Sequence, residues 1–179
     1  MMDDSKLREL ILYIADKCQV HNLFGKVKLN KILFFSDFLY YQRTGESITG
    51  FTYIKQEMGP VPYRMWEIIE EMRAAGELAI VPRQCYTHTQ QRPTPLRAPD
   101  LSRFSAPEIA LVDNVVEEFR ERTADEVSAL SHLFIGYDLV DLNDEIPYYS
   151  VYCRKQCSTD ITPDVIEIAK AIDAQRQQS

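Results

Sequence analysis

No apolar run in this sequence approaches the ~18 residues that a transmembrane helix needs. The opening Met1-Met2-Asp3-Asp4 is acidic, where a secretory signal must be basic, so the expected compartment is the cytoplasm. The four cysteines are then expected as reduced thiols. Glycine is sparse: six are scattered, and neither GxGxxG nor a GxxxxGK phosphate loop occurs, which excludes the common backbone cradles for nucleotides. A GxSxG nucleophile elbow is lacking, as is any tight pair of CxxC motifs. There is no internal repeat and no low-complexity tract. Acid is missing between Glu77 and Asp100, a stretch that carries Arg83, His88, Arg92 and Arg97.

The composition is that of a globular protein, with 45% apolar and 26% charged residues. A chain of 179 residues suits one domain, 1–179, and can bury about 70% of its unfolded surface without a disulfide or metal. The net charge of −7 argues against general nucleic-acid binding, which needs a basic face. The charge is uneven. Residues 1–100 hold 13 basic and 12 acidic side chains, and residues 101–179 hold 7 and 15. The acidic second half suits a basic partner protein, and it also serves solubility.

Apolar periodicity predicts about six helices and a small β-hairpin, a mainly α (α+β) fold that is partly winged-helix-like. The first helix spans about Ser5–Gln19, with Leu7, Leu10, Ile11, Ile14 and Cys18 on one stripe. The second spans Lys28–Gln42 and is apolar on so many sides that neighbours must surround it. An aromatic, β-branched strand is expected at Phe51–Lys55. Gly59-Pro60-Val61-Pro62 then leads into a third helix expected from Val61 to Ala75. Leu78–Val81 reads as a strand. Residues 83–100 read as a hairpin tip or long loop, because Pro93 and Pro95 exclude a central strand. Ser105/Glu108 and Thr123/Glu126 are capping boxes that open helices four and five. Residues 136–160 are irregular, and a last helix follows Thr162-Pro163-Asp164 within 161–179.

Four chemistries were weighed. Cys85, His88, Cys153 and Cys157 are zinc-ligand types, but two loose pairs far apart are weak against the reading as thiols in core or surface. Ser131 and His132 are helix neighbours and point about 100° apart, so they cannot form a dyad. Neither reading supports catalysis or a cofactor. A DNA-binding wing could use Arg83, Arg92 and Arg97, yet the third helix would present Glu67, Glu70 and Glu71 to phosphate. Tyr148, Tyr149 and Tyr152 lie in an irregular segment. They suit either a partner-binding surface or a lid over the core, and the partner-contact surface is placed on them and on the acidic C-terminal helices.

Three segments taken together resemble a known family: Lys28-Leu-Asn-Lys31-Ile-Leu-Phe-Phe35, Gly59-Pro60-Val61 and Leu130-Ser131-His132. Their order and spacing are similar to the SocA-like antitoxin family, or Panacea domain, earlier a phage-associated bacterial family of unknown function. The resemblance covers about residues 7–150. Where the family often carries a Trp just after the Leu-Ser/Thr-His motif, this chain has Phe134, Ile135 and Gly136. The resemblance implies a non-enzymatic antitoxin. It would bind and neutralise a toxin encoded by the adjacent gene, and in some members it would hand that toxin to a protease. On this reading Gly59 and Pro60 set the lead-in to helix three. Lys28 and Lys31 expose charge at the start of the buried helix. His132 ties helix five to the loop after it.

Overall fold

The computed structural model describes residues 4–86, 88–153 and 163–177. Its helices are α1 (Asp4–Lys17), α2 (Lys26–Thr44), α3 (Met65–Ala74), α4 (Ala106–Glu118), α5 (Ala124–His132), α6 (Ile135–Asp138) and α7 (Pro163–Arg176). Short 3-10 turns cover Cys18–Val20, Leu101–Arg103 and Tyr148–Tyr152. Two antiparallel pairs complete it: β1 (Tyr53–Ile54) with β2 (Val61–Pro62), and β3 (Leu78–Cys85) with β4 (His88–Pro95). The architecture is mainly helical with a small β component, as the periodicity predicts. No helix among the described residues is long and apolar enough to cross a membrane.

α2 is the axis of the fold. Leu29, Ile32, Leu33, Phe34 and Phe38 are all buried along it, and α1, α4, α5, β2 and the 148–152 turn pack around it. This is the outcome required of a helix with no single apolar stripe. Its C-terminus closes on Gly45, whose φ of 82° lets its N–H reach the Tyr41 carbonyl. Within α2 the carboxylate of Asp37 is fully buried. It accepts from the Thr49 N–H at 2.8 Å and the Tyr53 hydroxyl at 2.7 Å, and so fastens the loop after the helix to its middle. Both capping boxes form as the sequence dictates, with Ser105 and Thr123 accepting from the N–H groups of Glu108 and Glu126.

Two elements differ from expectation. Helix three begins at Met65 rather than Val61, because Val61 and Pro62 pair as a strand with Ile54 and Tyr53. Gly59 and Pro60 therefore lead into β2, and the helix starts behind Arg64, whose φ is 57°. The basic stretch is a strand as well as a loop: β3 runs on to Cys85, and β4 returns with Pro93 opposite Ile80 and Pro95 opposite Leu78. Two strands leave only edges, where proline is tolerated. This hairpin occupies the place of a wing but lies back against α1 and α2. Arg92 is buried and donates to the carbonyls of Cys18, Gln19 and His21, capping the end of the first helix. Arg97 bridges Glu9 at 2.6 Å and Glu77 at 2.9 Å. Its hydrogen bond holds the Glu9 carboxyl below the usual range. Two of the three arginines that a nucleic-acid wing could use are thus committed to acceptors within the chain. Arg83 is exposed, with Asn22 Oδ1 at 3.2 Å.

Candidate functional site

The loop between β1 and β2 is held by its carbonyls. The Tyr137 hydroxyl donates to the Gln56 carbonyl at 2.6 Å. Ser128 Oγ donates to the Met58 carbonyl at 3.3 Å. Lys31 Nζ donates to the Pro60 carbonyl at 3.3 Å. Alternate carbonyls are therefore taken by side chains from α6, α5 and α2, each far from the loop in sequence. The loop also turns on itself, with the Gly59 N–H bonded to the Gln56 carbonyl. Each buried polar group of the loop backbone that is satisfied in this way ties the loop to the helical core.

Gly59 sits where these side chains meet. Its φ is +97°, and a Cβ there would lie 2.5 Å from Ser131 Oγ and 2.6 Å from Lys31 Nζ. Only glycine combines that backbone angle with so close an approach. Ser131 donates back to the Ser128 carbonyl at 2.7 Å. His132 stacks on the Tyr137 ring at 4.6 Å, which ties α5 to α6 as expected of it. Its Nε2 is buried with no partner among the described residues. Burial, with the charge of Lys31 added, lowers the His132 pKa and keeps the imidazole neutral.

Lys28 and Lys31 are not exposed, contrary to expectation: both side chains lie inside. Both positions fall on the inward side of the first turns of α2, so each amine reaches a backbone carbonyl instead, Lys28 that of Arg120 at 3.1 Å and Lys31 that of Pro60. Neither has a carboxylate within ion-pair distance among the described residues. Desolvation lowers the Lys31 pKa from 10.5 to about 8. An amine whose pKa falls on folding is penalised while charged, and the penalty lifts as pH rises from about 8 to 10.5. The stability of the wild type should therefore climb by about 3 kcal/mol over that window relative to Lys31→Met. Paired urea titrations at several pH values measure the difference and cancel the tyrosines common to both. Parallel curves for the two proteins would refute a desolvated amine at this position.

Outside this hub the loop opens onto a groove of about 600 Å³. Ile54 and Val61 are half-buried at its base, and Met58, Tyr63, Trp66 and Leu142 stand exposed around it. A second groove, of about 380 Å³, runs between α2 and the α5–α6 junction, past Phe35, Leu39 and Leu133.

The tyrosine segment is turned inward. Tyr148 stacks on Phe38 at 4.5 Å, and its hydroxyl donates to the Phe51 carbonyl at 2.7 Å. Tyr152 donates to the Tyr41 carbonyl and lies under the Arg176 guanidinium. Tyr149 packs with Tyr152 around Ile135, Cys153 and Ala169. These half-buried rings thus face the core as a lid, whereas the sequence reading places the partner-contact surface on them.

Of the zinc-ligand types, Cys85 is buried at the hairpin tip, and Cys153 is buried in that second cluster. Cys157 and the side chain of His88 lie outside the described residues. Among the described residues no group of three or more His, Cys, Asp or Glu could hold a metal ion. Cys18 lies in the core, where burial pushes its thiol up to about 12, far from a reactive thiolate.

The motif residues Lys31, Gly59, Pro60, Ser131 and His132 thus converge on one hub. A family model described as antitoxin SocA-like, Panacea domain, matches residues 29–134, a span that includes all of them. The chain belongs to the SocA-like antitoxin family. Neither the curated proteins nor the solved structures yield a match. In this SocA-like domain the motif is internal, a frame for the 56–62 loop. Sequence reasoning missed Asp37, Tyr137 and Ser128. Asp37 had a signal, as the one acid of α2, set between Phe35 and Phe38 in its apolar middle. Tyr137 and Ser128 had none, because their acceptors lie 81 and 70 positions away.

Proposed function

We propose that this protein binds a cognate toxin, encoded by the adjacent gene, and neutralises it by protein–protein contact. The observation that carries this reading is the SocA-like match across the segment that builds the hub. A loop fixed by three side-chain hydrogen bonds loses little freedom when a partner settles on it, which favours a binding role. The net charge of −7 adds long-range attraction for a basic toxin.

The test is co-expression with the neighbouring open reading frame. The neighbour alone should arrest growth. This protein should restore growth and co-purify with the neighbour in fixed ratio. Rescue with a stable complex identifies blocking. Rescue that needs a cellular protease and lowers the amount of toxin identifies delivery. A harmless neighbour, or rescue through a reduced transcript with no complex, would reject direct neutralisation and favour a DNA-binding regulator.

A further inference from the structure

We infer that the groove beside the 56–62 loop is the toxin-contact surface, and that its occupant is a cationic protein segment with an apolar anchor. This rests on the toxin-binding reading above. The apolar part of the argument is exposure. Trp66 is 63% exposed, Met58 54% and Tyr63 46%, and all three border one groove. Tryptophan and tyrosine at the centre of a contact dominate binding energy. The loop that carries Met58 is held by Lys31, Ser128 and Tyr137.

The charge around the groove selects the occupant. Glu57 and Glu67 line it. The acidic run Asp141, Asp144 and Glu145 flanks it, because Leu142 forms one wall and this segment bonds to Ile54 and Lys55. None of these five carboxylates is ion-paired among the described residues, and all five are exposed. Three cations lie nearby, of which Lys55 donates to the Val140 carbonyl at 2.9 Å. Arg64 lies 3.5 Å from Glu71, and Lys26 lies over the Trp66 ring at 5.1 Å. That contact shows the Trp66 face accepting a cation. An anionic surface of this kind repels nucleic acid and anionic lipid. It also disfavours a second copy of this chain, which would set acid against acid. A segment with an aromatic or aliphatic anchor between Lys or Arg residues satisfies both the groove and its rim.

The experiment uses the complex of the full chain with the protein encoded beside it, titrated at low and high salt. Four forms are compared: wild type, Trp66→Ala, the double reversal Glu57→Lys/Glu67→Lys, and Leu133→Ala. The last lies at the second groove and is 72% exposed. Trp66→Ala should weaken binding at least about tenfold. The double reversal should weaken it mainly at low salt and flatten the salt dependence. Leu133→Ala should bind as wild type does. Wild-type affinity in both groove variants overturns the inference while leaving the antitoxin reading intact. Loss of binding in Leu133→Ala alone moves the contact to the second groove and overturns it. Self-association that Trp66→Ala abolishes makes a second copy the occupant and overturns it too. Failure of the wild type to form any complex rejects the toxin-binding reading itself, and this inference with it.

Discussion

Gly59→Ala is expected to destabilise the protein by about 4 kcal/mol. Two costs combine. A side chain held at a φ of +97° carries strain of about 1–3 kcal/mol. The new Cβ would also collide with Ser131 Oγ and with Lys31 Nζ and Cε, the last 2.8 Å away, and overpacking of this kind costs about 1–3 kcal/mol. For a chain of this size the melting temperature should fall by roughly 10 °C. Gly76→Ala is the matching control. Gly76 also has a positive φ, of +70°, but nothing lies within 4 Å of a Cβ there. It should cost only the backbone part. Equal losses in the two variants would show that the hub is not crowded and that the loop is not seated as described.

Tyr148→Ala should cost about 2–3 kcal/mol, below the ~3–5 kcal/mol of a fully buried ring because Tyr148 is half-buried. The ring stacks on Phe38, lies 5.1 Å from Tyr41 and meets Tyr53 edge-on at 6.3 Å. Its removal opens a cavity beside the most buried turn of α2. Tyr148→Phe keeps the rings and loses only the bond to the Phe51 carbonyl, so its cost should be about 1 kcal/mol. Chemical denaturation of the three proteins separates packing from hydrogen bonding. An alanine variant as stable as wild type would return Tyr148 to the surface. The same series guards the binding experiments, since a destabilised variant loses partner affinity without touching the partner.

What could be read in the sequence was what acts over a few residues. Ser105 and Glu108, or Thr123 and Glu126, meet within one helical turn, so their capping boxes were legible and formed. The many-sided apolar character of α2 was equally local, and it placed that helix at the centre correctly. The same character held a clue to Lys28 and Lys31, which fall beside the buried Leu29 and Ile32 on the inward side of the helix. Arg92 and Arg97 read as a free basic stretch since no acid lies between Glu77 and Asp100. Glu9 stands 88 positions from Arg97, and only the docking of β4 against α1 brings them together. Val61-Pro62 was misread for a related reason. A two-residue strand has no period, and its existence depends on Tyr53 and Ile54 lying alongside. The motif residues of the hub were each weak signals in the chain, and their meaning comes from convergence in space.

The 56–62 loop separates two tasks that most surface loops combine. Its shape is dictated by Lys31, Ser128 and Tyr137, which grip its carbonyls. The side chains of Glu57 and Met58 point to solvent and contribute nothing to that grip. Replacing them alters what the loop displays without altering where it is. A fold built this way can exchange its recognition residues one at a time at little cost to stability, in the manner of variable loops carried on a fixed scaffold. What the surface displays can then change while the positions that hold the frame, buried beneath it, do not.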